Sequence, residues 1–459
     1  MKKALSLFLA ILTVMSLVTV FSSCKKEPET PEVVIENFEV VTGKNDACTI
    51  VYAYNTADGM NNTRRMLAES IQQFVYAKTG TKPKVVDDRT AESEGFEILI
   101  GDTNRAISSS VKAEITDNRT YIIRVADKKL VIQAPSFTLM EEAVNLFIAD
   151  GSAKKLRYKL STQNGTMSFK NGYDYTFTLP AVVTNVKHLG YITSLADAGT
   201  HFVVQGGCSD GTYLYACLED QKSDSGDPDY YYHTEIHTTV IYKVRLDTME
   251  VVKKSEPLHL DHSNDMAYNS KTNELVVVHC GMNPDKPERS KLLSYINPET
   301  LEINATVEGA FEGGYAMAYE ASRDVFVTAT GNYYKIYDGF YKNAAGGYIP
   351  LTRTMTDTSI QNSHKGHITQ GIDCDEKYIY NILTGDGEDN INDRQFGYLV
   401  ITTWEGKVIT TCRVPLPEGE NMEIETEFIF HIGNTFYVGY NARNTQVGHI
   451  HSFTVEGLE

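Results

Sequence analysis

The chain has 459 residues, of which 42% are hydrophobic and 22% are charged. These fractions are typical of folded protein and exclude a chain that is disordered throughout. The 60 acidic residues outnumber the 42 basic ones, which gives a formal net charge of -18, and no cluster of lysine or arginine offsets that charge locally. Because such a chain repels phosphate backbones, nucleic acid is excluded as an expected partner.

Residues 1–24 have the layout of a secretory signal peptide. Lys2 and Lys3 precede an uninterrupted apolar run over residues 4–21, and two serines stand immediately before Cys24. This ending resembles the lipobox of bacterial lipoproteins, with Phe21 in the place where that family has a smaller aliphatic residue. The resemblance implies that Cys24 carries the lipid, that the membrane is contacted through this N-terminal lipid, and that the protein lies in the bacterial cell envelope, outside the cytoplasm. The alternative is an uncleaved N-terminal anchor with an incidental cysteine.

About 435 residues follow Cys24, which is too many for one hydrophobic core and predicts two domains. Residues 25–39 are charged and contain proline, as expected of a tether. We expect an α/β domain over residues 40–172 and an all-β domain over residues 185–457, so that the fold class is α+β with several domains.

The first domain combines strands with two helices. Runs rich in β-branched residues predict strands at 48–54, 97–102, 120–127 and 129–134. One helix is predicted from apolar residues at helical spacing, with Gly80 at its C-terminal end: Leu67, Ile71, Phe74 and Val75. A second helix is predicted to start at a capping box formed by Thr138 and Glu141 and to end at Gly151.

This order of elements resembles the small α/β domain that precedes the catalytic barrel in family 20 and family 67 glycoside hydrolases. The resemblance rests on the segments "EILIGDTNR" from Glu97 and "YIIRVADKKLVIQAPS" from Tyr121. It implies a domain that is not itself catalytic. The sequence after it lacks the alternation of strands and helices that forms a barrel, so the hydrolytic residues of those families have no counterpart here.

The second domain contains an internal repeat. Five segments each combine an apolar strand, a polar turn and another apolar strand, and four of them are followed by a second hairpin. They begin at Gln205, Asp265, Tyr315, Gln370 and Glu427, which gives intervals of 60, 50, 55 and 57 residues. Four strands per interval is the size of a propeller blade and predicts a five-bladed β-propeller. The rival fold is a pair of β-sandwiches.

The fifth segment is followed by one strand only, "HIHSFTVE" from His449. We therefore expect its missing fourth strand to come from residues before Gln205, in the segment 188–197, which would close the ring.

In a propeller the first strand of every blade lines the central channel, so the starts of the repeats converge on one mouth. We predict a ligand site there, built from the five repeat starts and their polar neighbours: Gln205, Asp265, Tyr315, Gln370, Glu427, His262, Asn264, His367 and Glu425. Amides, carboxylates, imidazoles and a flat ring suit a carbohydrate or a similar polar ligand. The alternative is that these groups hold water and join neighbouring blades.

Three functions fit this arrangement. The first is a carbohydrate-binding protein. The second is a glycoside hydrolase or lyase that uses Asp265 and Glu427 as its paired carboxylates. The third is a protein-interaction scaffold that uses outer loops such as residues 222–233. No cofactor is expected.

Metal sites are weaker predictions. His262 and His367 with Asp265 have the right donor types, although lone histidines in turns are more often hydrogen-bonded surface groups. A calcium loop is suggested by Asp386, Glu388, Asp389 and Asp393, but a solvated acidic turn explains the same residues.

Six further cysteines follow Cys24, and no two of them have the spacing of a metal site. Their even number permits disulfides in an exported protein, but several lie in apolar strand-like runs. We interpret most of them as small buried hydrophobic residues. They are Cys48, Cys208, Cys217, Cys280, Cys374 and Cys412.

Overall fold

The computed structural model forms two compact units, one of the described residues up to Thr116 together with Thr120–Phe177, the other of Asp117–Arg119 together with Thr178–Glu459. No helix in the described part of the chain is long and apolar enough to cross a membrane. The structure describes residues 37–43, 46–57, 60–126, 128–153, 161–163, 166–170, 172–192, 201–220, 238–280, 287–308, 314–330, 333–338, 358–359, 367–385, 396–415, 424–442 and 447–458. Cys24 and the tether up to residue 36 lie outside these ranges.

The first unit contains a six-stranded sheet of order β10-β6-β7-β5-β3-β4 and a four-stranded sheet of order β2-β1-β9-β8. In the larger sheet β3 pairs in parallel with β4 and β5, and β5 pairs in parallel with β7. The strands are β1 Asn37–Gly43, β2 Asp46–Ala47, β3 Thr49–Tyr52, β4 Lys84–Asp87, β5 Glu97–Ile100, β6 Thr120–Ala126, β7 Lys129–Gln133, β8 Ser161–Gln163, β9 Thr166–Lys170 and β10 Asp174–Thr178.

Three helices belong to this unit: α1 Asn61–Thr79, α2 Ala106–Ala113 and α3 Phe137–Ala153. The face of α1 that the sequence predicted is buried, and the helix ends at Gly80 in the left-handed conformation with φ of 74°. Glycine adopts this conformation without the steric cost that a Cβ brings, which is why it ends the helix there.

The predicted start of α3 is wrong by a few residues. The backbone N–H of Leu139 donates to Ser136 Oγ at 3.3 Å, so the helix is capped from Ser136 and begins at Phe137. It also continues past Gly151 to Ala153. The short helix α2 was not predicted, because three of its eight residues are serines, which favour caps and turns over helix interiors.

The second unit contains five four-stranded antiparallel sheets among its described residues. Blade 1 is β12 to β15, blade 2 is β16 to β19, blade 3 is β20 to β23, blade 4 is β24 to β27, and blade 5 is β28 to β30 with β11. The strands are β11 Val182–Tyr191, β12 His201–Ser209, β13 Tyr213–Asp220, β14 Thr239–Arg245, β15 Glu250–Lys254, β16 Asp265–Asn269, β17 Glu274–Val278, β18 Leu293–Ile296, β19 Ile303–Val307, β20 Ala316–Glu320, β21 Val325–Thr330, β22 Tyr333–Asp338, β23 Thr358–Ser359, β24 His367–Cys374, β25 Tyr378–Gly385, β26 Phe396–Thr403, β27 Val408–Pro415, β28 Ile424–Ile432, β29 Thr435–Ala442 and β30 Val447–Glu456.

The blades are arranged in a ring, which makes this unit a β-propeller rather than a pair of β-sandwiches. The first strand of each blade contacts the first strands of both neighbouring blades, and β28 of blade 5 contacts β12 of blade 1. An apolar cluster of buried side chains fills each of the five seams between neighbouring blades. Burial of this apolar surface is the main force that holds the ring together.

A strand from before the repeats closes the ring, as the sequence predicted. It is β11, which pairs with β30 in blade 5, so the closing strand lies at Val182–Tyr191 and not at 188–197. Within blade 3 the fourth strand is the short segment Thr358–Ser359, which pairs with β22.

Candidate functional site

The first strands of all blades run in the same direction along the axis, so their starts lie at one end of the propeller. Hydrogen bonds join several of the predicted site residues at this end. Asn264 Nδ2 donates to the backbone oxygen of Tyr315 at 2.6 Å and to that of Gln370 at 3.4 Å. Gln370 Nε2 in turn donates to Glu425 Oε1 at 3.3 Å. One polar network therefore links blades 2, 3, 4 and 5 at the channel mouth, although Tyr315 enters it only through its backbone and exposes 47% of its surface.

Directly beneath this mouth the first strands approach one another very closely. A Cβ added at Gly206 would lie 2.3 Å from the Cα of Asp265, and one added at Gly371 would lie 2.6 Å from the Cα of Phe428. Only glycine fits at such distances. The repeated Gln-Gly pairs at 205–206 and 370–371 thus place an amide at the mouth and a glycine where the strands come together.

Asp265 is a structural group that joins three blades. Its carboxylate accepts the backbone N–H groups of Met266 at 2.8 Å, Met317 at 3.0 Å and Ile372 at 3.3 Å. The residue is 1% exposed, and burial raises the pKa of its carboxyl well above the usual range. The predicted ligand site is corrected by leaving out Asp265, because its oxygens already accept hydrogen bonds from the backbone of blades 2, 3 and 4.

Glu427 has a comparable position in the last seam. It is 3% exposed and accepts a hydrogen bond from Asn441 Nδ2 at 2.7 Å. Asn441 is also bonded to the backbone of Val204 in blade 1. The hypothesis of a catalytic pair formed by Asp265 and Glu427 is therefore not favoured, because backbone N–H groups of three blades hold the Asp265 carboxyl, and the side chain that joins blades 5 and 1 holds Glu427.

The strongest contact at the mouth involves a residue that the sequence analysis missed. Glu219, near the end of β13, places Oε2 3.1 Å from His262 Nδ1 and 3.5 Å from Gln205 Nε2. Glu219 is 1% exposed. A sequence signal was present, because an acidic pair interrupts the apolar run "YLYACL" where a buried second strand ends. The predicted site was confined to residues at the starts of first strands, and Glu219 lies near the end of a second strand.

His262 carries a positive charge more readily than an ordinary histidine. Burial lowers the pKa of its imidazole, but the charges of Glu219, Glu425 and Asp261 outweigh that effect and raise the pKa. Two carboxylates from blades 1 and 5 therefore act on one imidazole from the loop before blade 2. The site combines carboxylate acceptors, an imidazole whose pKa is raised, and the amides of Gln205 and Gln370.

The backbone on both sides of His262 is in an unusual conformation. Asp261 has φ of 53° and Ser263 has φ of 46°, which is left-handed backbone at two non-glycine residues. The N–H of Ser263 is held by the backbone oxygens of Leu260 and His279, both at 3.1 Å. Strained backbone of this kind persists only where the surroundings enforce it, and it concentrates at functional sites.

A second pair of a histidine and a carboxylate lies at the opposite end of the channel. His431 Nδ1 lies 2.5 Å from Asp373 Oδ2, and these residues stand at the far ends of β28 and β24. Burial lowers the pKa of His431, and the charge of Asp373 together with its hydrogen bond raises it by more. This pair is chemically similar to His262 and Glu219 but remote from the mouth.

Other predicted residues lie outside what the structure describes. The side chain of His367, the acidic loop with Asp386, Glu388, Asp389 and Asp393, and the loop 222–233 all belong to that part of the chain. Among the described residues, no group of three or more His, Cys, Asp or Glu side chains is arranged to hold a metal ion. Neither His262 nor Asp265 is placed as a metal ligand there, because each has the partners given above.

Comparison with known proteins adds little to this description. No protein-family model matches the chain. No curated protein matches its sequence.

Two solved structures are similar at low identity. A glutaminyl cyclase from Myxococcus xanthus has 11% sequence identity and a TM-score of 0.37, over 60% of this chain and 97% of that one. The β-propeller domain of Cps50 (Swd1) from Myceliophteria thermophila has 11% identity and a TM-score of 0.26, over 56% of this chain and 65% of that one. At these TM-scores no function is drawn from either protein.

Proposed function

We propose that this protein is a lipid-anchored surface protein whose five-bladed propeller binds a carbohydrate or a similar polyhydroxylated ligand at the mouth defined by Glu219, His262, Gln370 and Glu425. The observation that carries the proposal is the contact of His262 with Glu219 inside a strained loop. Carboxylates and amide oxygens accept hydrogen bonds from sugar hydroxyls, whereas the imidazolium and amide nitrogens donate to them. Hydrogen bonds to charged groups are the stronger kind, so a few of them suffice to orient such a ligand.

Binding is tested on a glycan array with the full chain and with single-residue variants. Glu219→Gln and Glu425→Gln each remove one charge at the mouth and keep the shape of the side chain. Loss of a hydrogen bond to a charged group corresponds to about a 10-fold to 100-fold loss of affinity. Glu274→Gln is the matched control, because Glu274 is also buried but lies in β17, where its Oε1 accepts a hydrogen bond from Asn304 Nδ2 at 2.9 Å. Binding that survives in both mouth variants contradicts the proposal.

Hydrolysis or cleavage of a glycan is the second candidate function, and one observation supports it. Glu219 and Glu425 belong to two different blades and both have a partner at the mouth, His262 Nδ1 at 3.1 Å from Glu219 Oε2 and Gln370 Nε2 at 3.3 Å from Glu425 Oε1. Paired carboxylates across a glycosidic bond are what this chemistry requires. Incubation of the full chain with bound glycans, followed by mass spectrometry for released sugars, separates the two functions. Turnover that is lost in Glu219→Gln and in Glu425→Gln would establish the enzyme, and absence of any product would leave the binding protein.

The anchor rests on Cys24, in the segment outside the described residues. Replacement Cys24→Ser is expected to release the protein from the membrane fraction, and mass spectrometry of the N-terminal peptide should show acyl chains only in the parent chain. A parent chain without acyl groups would favour the uncleaved anchor. The third candidate, an interaction scaffold, is tested by a pull-down from envelope extracts. Its loop 222–233 lies outside the described residues.

A further inference from the structure

Asp261, immediately before His262, has both carboxylate oxygens engaged below the protein surface. Its Oδ1 accepts hydrogen bonds from Arg289 Nε at 2.7 Å and Nη2 at 2.6 Å, and its Oδ2 lies 2.8 Å from His279 Nδ1. Asp261 and His279 are 0% and 1% exposed. A buried carboxylate held by a bidentate guanidinium and an imidazole is fixed in position far more firmly than a surface ion pair.

The hydrogen-bonded chain continues outward across blade 2. His279 Nε2 lies 2.7 Å from Ser294 Oγ on β18, and Ser294 Oγ lies 2.8 Å from Thr306 Oγ1 on β19. Thr306 is exposed on the outermost strand of that blade. The chain therefore anchors Asp261 to three successive strands of the blade, since His279 directly follows β17.

The backbone of the loop is held at the same point. Thr239 Oγ1 lies 3.0 Å from Ser263 Oγ, so the second left-handed residue is tied to β14 of blade 1. His262 lies between these two left-handed residues, and its Nδ1 is 3.1 Å from Glu219 Oε2. Relaxation of either residue to ordinary backbone would carry His262 away from Glu219 and Glu425.

We propose that Asp261 is a positioning residue for the ligand site. Clamped by Arg289 and His279, it keeps the loop 261–263 in its strained conformation and so holds the imidazole of His262 against Glu219 at the channel mouth. This inference rests on the proposed function only in that His262 contacts the ligand. The charged and titratable groups that face His262 are Glu219, Glu425 and Asp261 itself.

The test measures the titration of the His262 imidazole by NMR in the purified full chain, without any ligand. The His262 signal is assigned by its loss in His262→Asn, and Glu219→Gln serves as the reference that lowers the pKa by removing the direct partner. Asp261→Asn and Arg289→Met then remove the two sides of the clamp. Asparagine tolerates left-handed backbone, so Asp261→Asn does not add strain of its own.

Positioning and simple electrostatics predict opposite changes of the His262 pKa in Arg289→Met, and the same direction of change in Asp261→Asn. If the clamp positions His262, both variants release the loop, and the pKa of His262 falls toward its ordinary value in both. If Asp261 and Arg289 act only through their charges, the pKa falls in Asp261→Asn and rises in Arg289→Met. Opposite signs, or no change in either variant, would overturn the inference.

A folding control and a milder variant accompany the test. The signal of His431, at the far end of the channel, should keep its own pKa in every variant, whereas Asp373→Asn should move His431 and leave His262 unchanged. Where a clamp variant fails to fold, Ser294→Ala removes the contacts of Ser294 Oγ with His279 and Thr306 and leaves Asp261, Arg289 and His279 in place. A fall of the same sign but smaller size is then expected. Failure to bind any glycan would contradict the proposed function, but it would leave the result of the His262 titrations unchanged, because they are measured without ligand.

Discussion

Asn441 of blade 5 is joined to the backbone of Val204 in blade 1 by two hydrogen bonds. Its Oδ1 accepts the Val204 N–H at 2.9 Å, and its Nδ2 donates to the Val204 carbonyl at 2.8 Å. The same Nδ2 donates to Glu427. The Asn441 side chain thus bonds the N–H and the carbonyl of one residue, as a neighbouring strand would, at the seam between blade 5 and blade 1.

Replacement Asn441→Ala should destabilise the propeller more than an ordinary polar truncation. It leaves a buried N–H and a buried carbonyl of Val204 without this partner, and each such group costs about 1–3 kcal/mol. Urea unfolding at pH 7 is expected to show a loss of about 2–5 kcal/mol. Asn304→Ala is the control, because Asn304 is exposed and its Nδ2 donates to Glu274 Oε1 at 2.9 Å, and its expected loss is below about 1 kcal/mol. Equal losses of unfolding free energy in the two variants would show that Asn441 contributes no more to stability than an exposed asparagine does.

Gly206→Ala should be strongly destabilising although it adds a single methyl group. The new Cβ would lie 2.3 Å from the Cα of Asp265, and the contacting atoms are backbone, so no side chain can rotate away. We expect a loss of about 1–3 kcal/mol or more, measured by urea unfolding. Gly43→Ala is the matched control, since nothing lies within 4 Å of its added Cβ. A variant Gly206→Ala as stable as the parent would mean that the first strands are further apart than described.

Acid should weaken blade 5 through two buried histidines. His449 and His451 face His188, Tyr191 and Tyr440 between β30, β11 and β29, and burial lowers the pKa of His449 to about 4 and that of His451 to about 3, with the charge of His188 contributing. Both imidazoles are therefore neutral in the folded state, whereas in the unfolded chain they take up protons near pH 6.5. The stabilisation from a lowered pKa is complete above pH 6.5 and is lost as the pH falls toward 4.

Urea unfolding at a series of pH values between 7 and 4.5 checks this expectation. At about 1.4 kcal/mol per pKa unit, the loss should reach a few kcal/mol at the acid end. His262 and His431, whose pKa values are raised, act in the opposite direction, because their contribution is present below pH 6.5 and is lost as the pH rises. The double variant His449→Gln, His451→Gln isolates the effect, and its stability should depend less on pH than that of the parent chain. An unchanged pH dependence would contradict the assignment.

Reducing agents should not affect stability, because the six described cysteines are free and buried. Burial raises the pKa of Cys217 and of Cys280 to about 12, so neither thiol is ionised at neutral pH. A thiol reagent is expected to react with none of the six in the native chain and with all six in urea. Rapid native labelling, or a fall of the melting temperature on reduction, would argue against this state.

The sequence predicted the strands of the propeller well because each hairpin is a local pattern. Two apolar runs around a polar turn specify β16 with β17, for example, and the five seams then follow from burying the apolar faces. A closing strand was expected because only three strands were predicted for the last blade. The expected position, 188–197, was several residues too late, because residues before 188 are also rich in β-branched side chains.

The candidate site was harder to predict, since one residue of register decides where a side chain points. Neighbouring strand positions face opposite directions. Asn264 reaches across the mouth to Gln370, whereas Asp265, the next residue, turns into the seams. Glu219 escaped because it comes from a second strand and meets His262 only through tertiary packing. A repeat identifies the equivalent positions but does not reveal which of two adjacent polar residues lines the axis.

The pairing of β11 with β30 has a consequence for how the chain matures. The ring needs its first strand, from residues 182–191, and its last, from residues 447–456, at the same place. Translation produces residues 182–191 long before residues 447–456, so blade 5 stays incomplete until the ten residues of β30 have been made. A truncation that removes residues 447–456 should leave β11 and β29 without the strand that lies between them, so that blade 5 is lost as a four-stranded sheet.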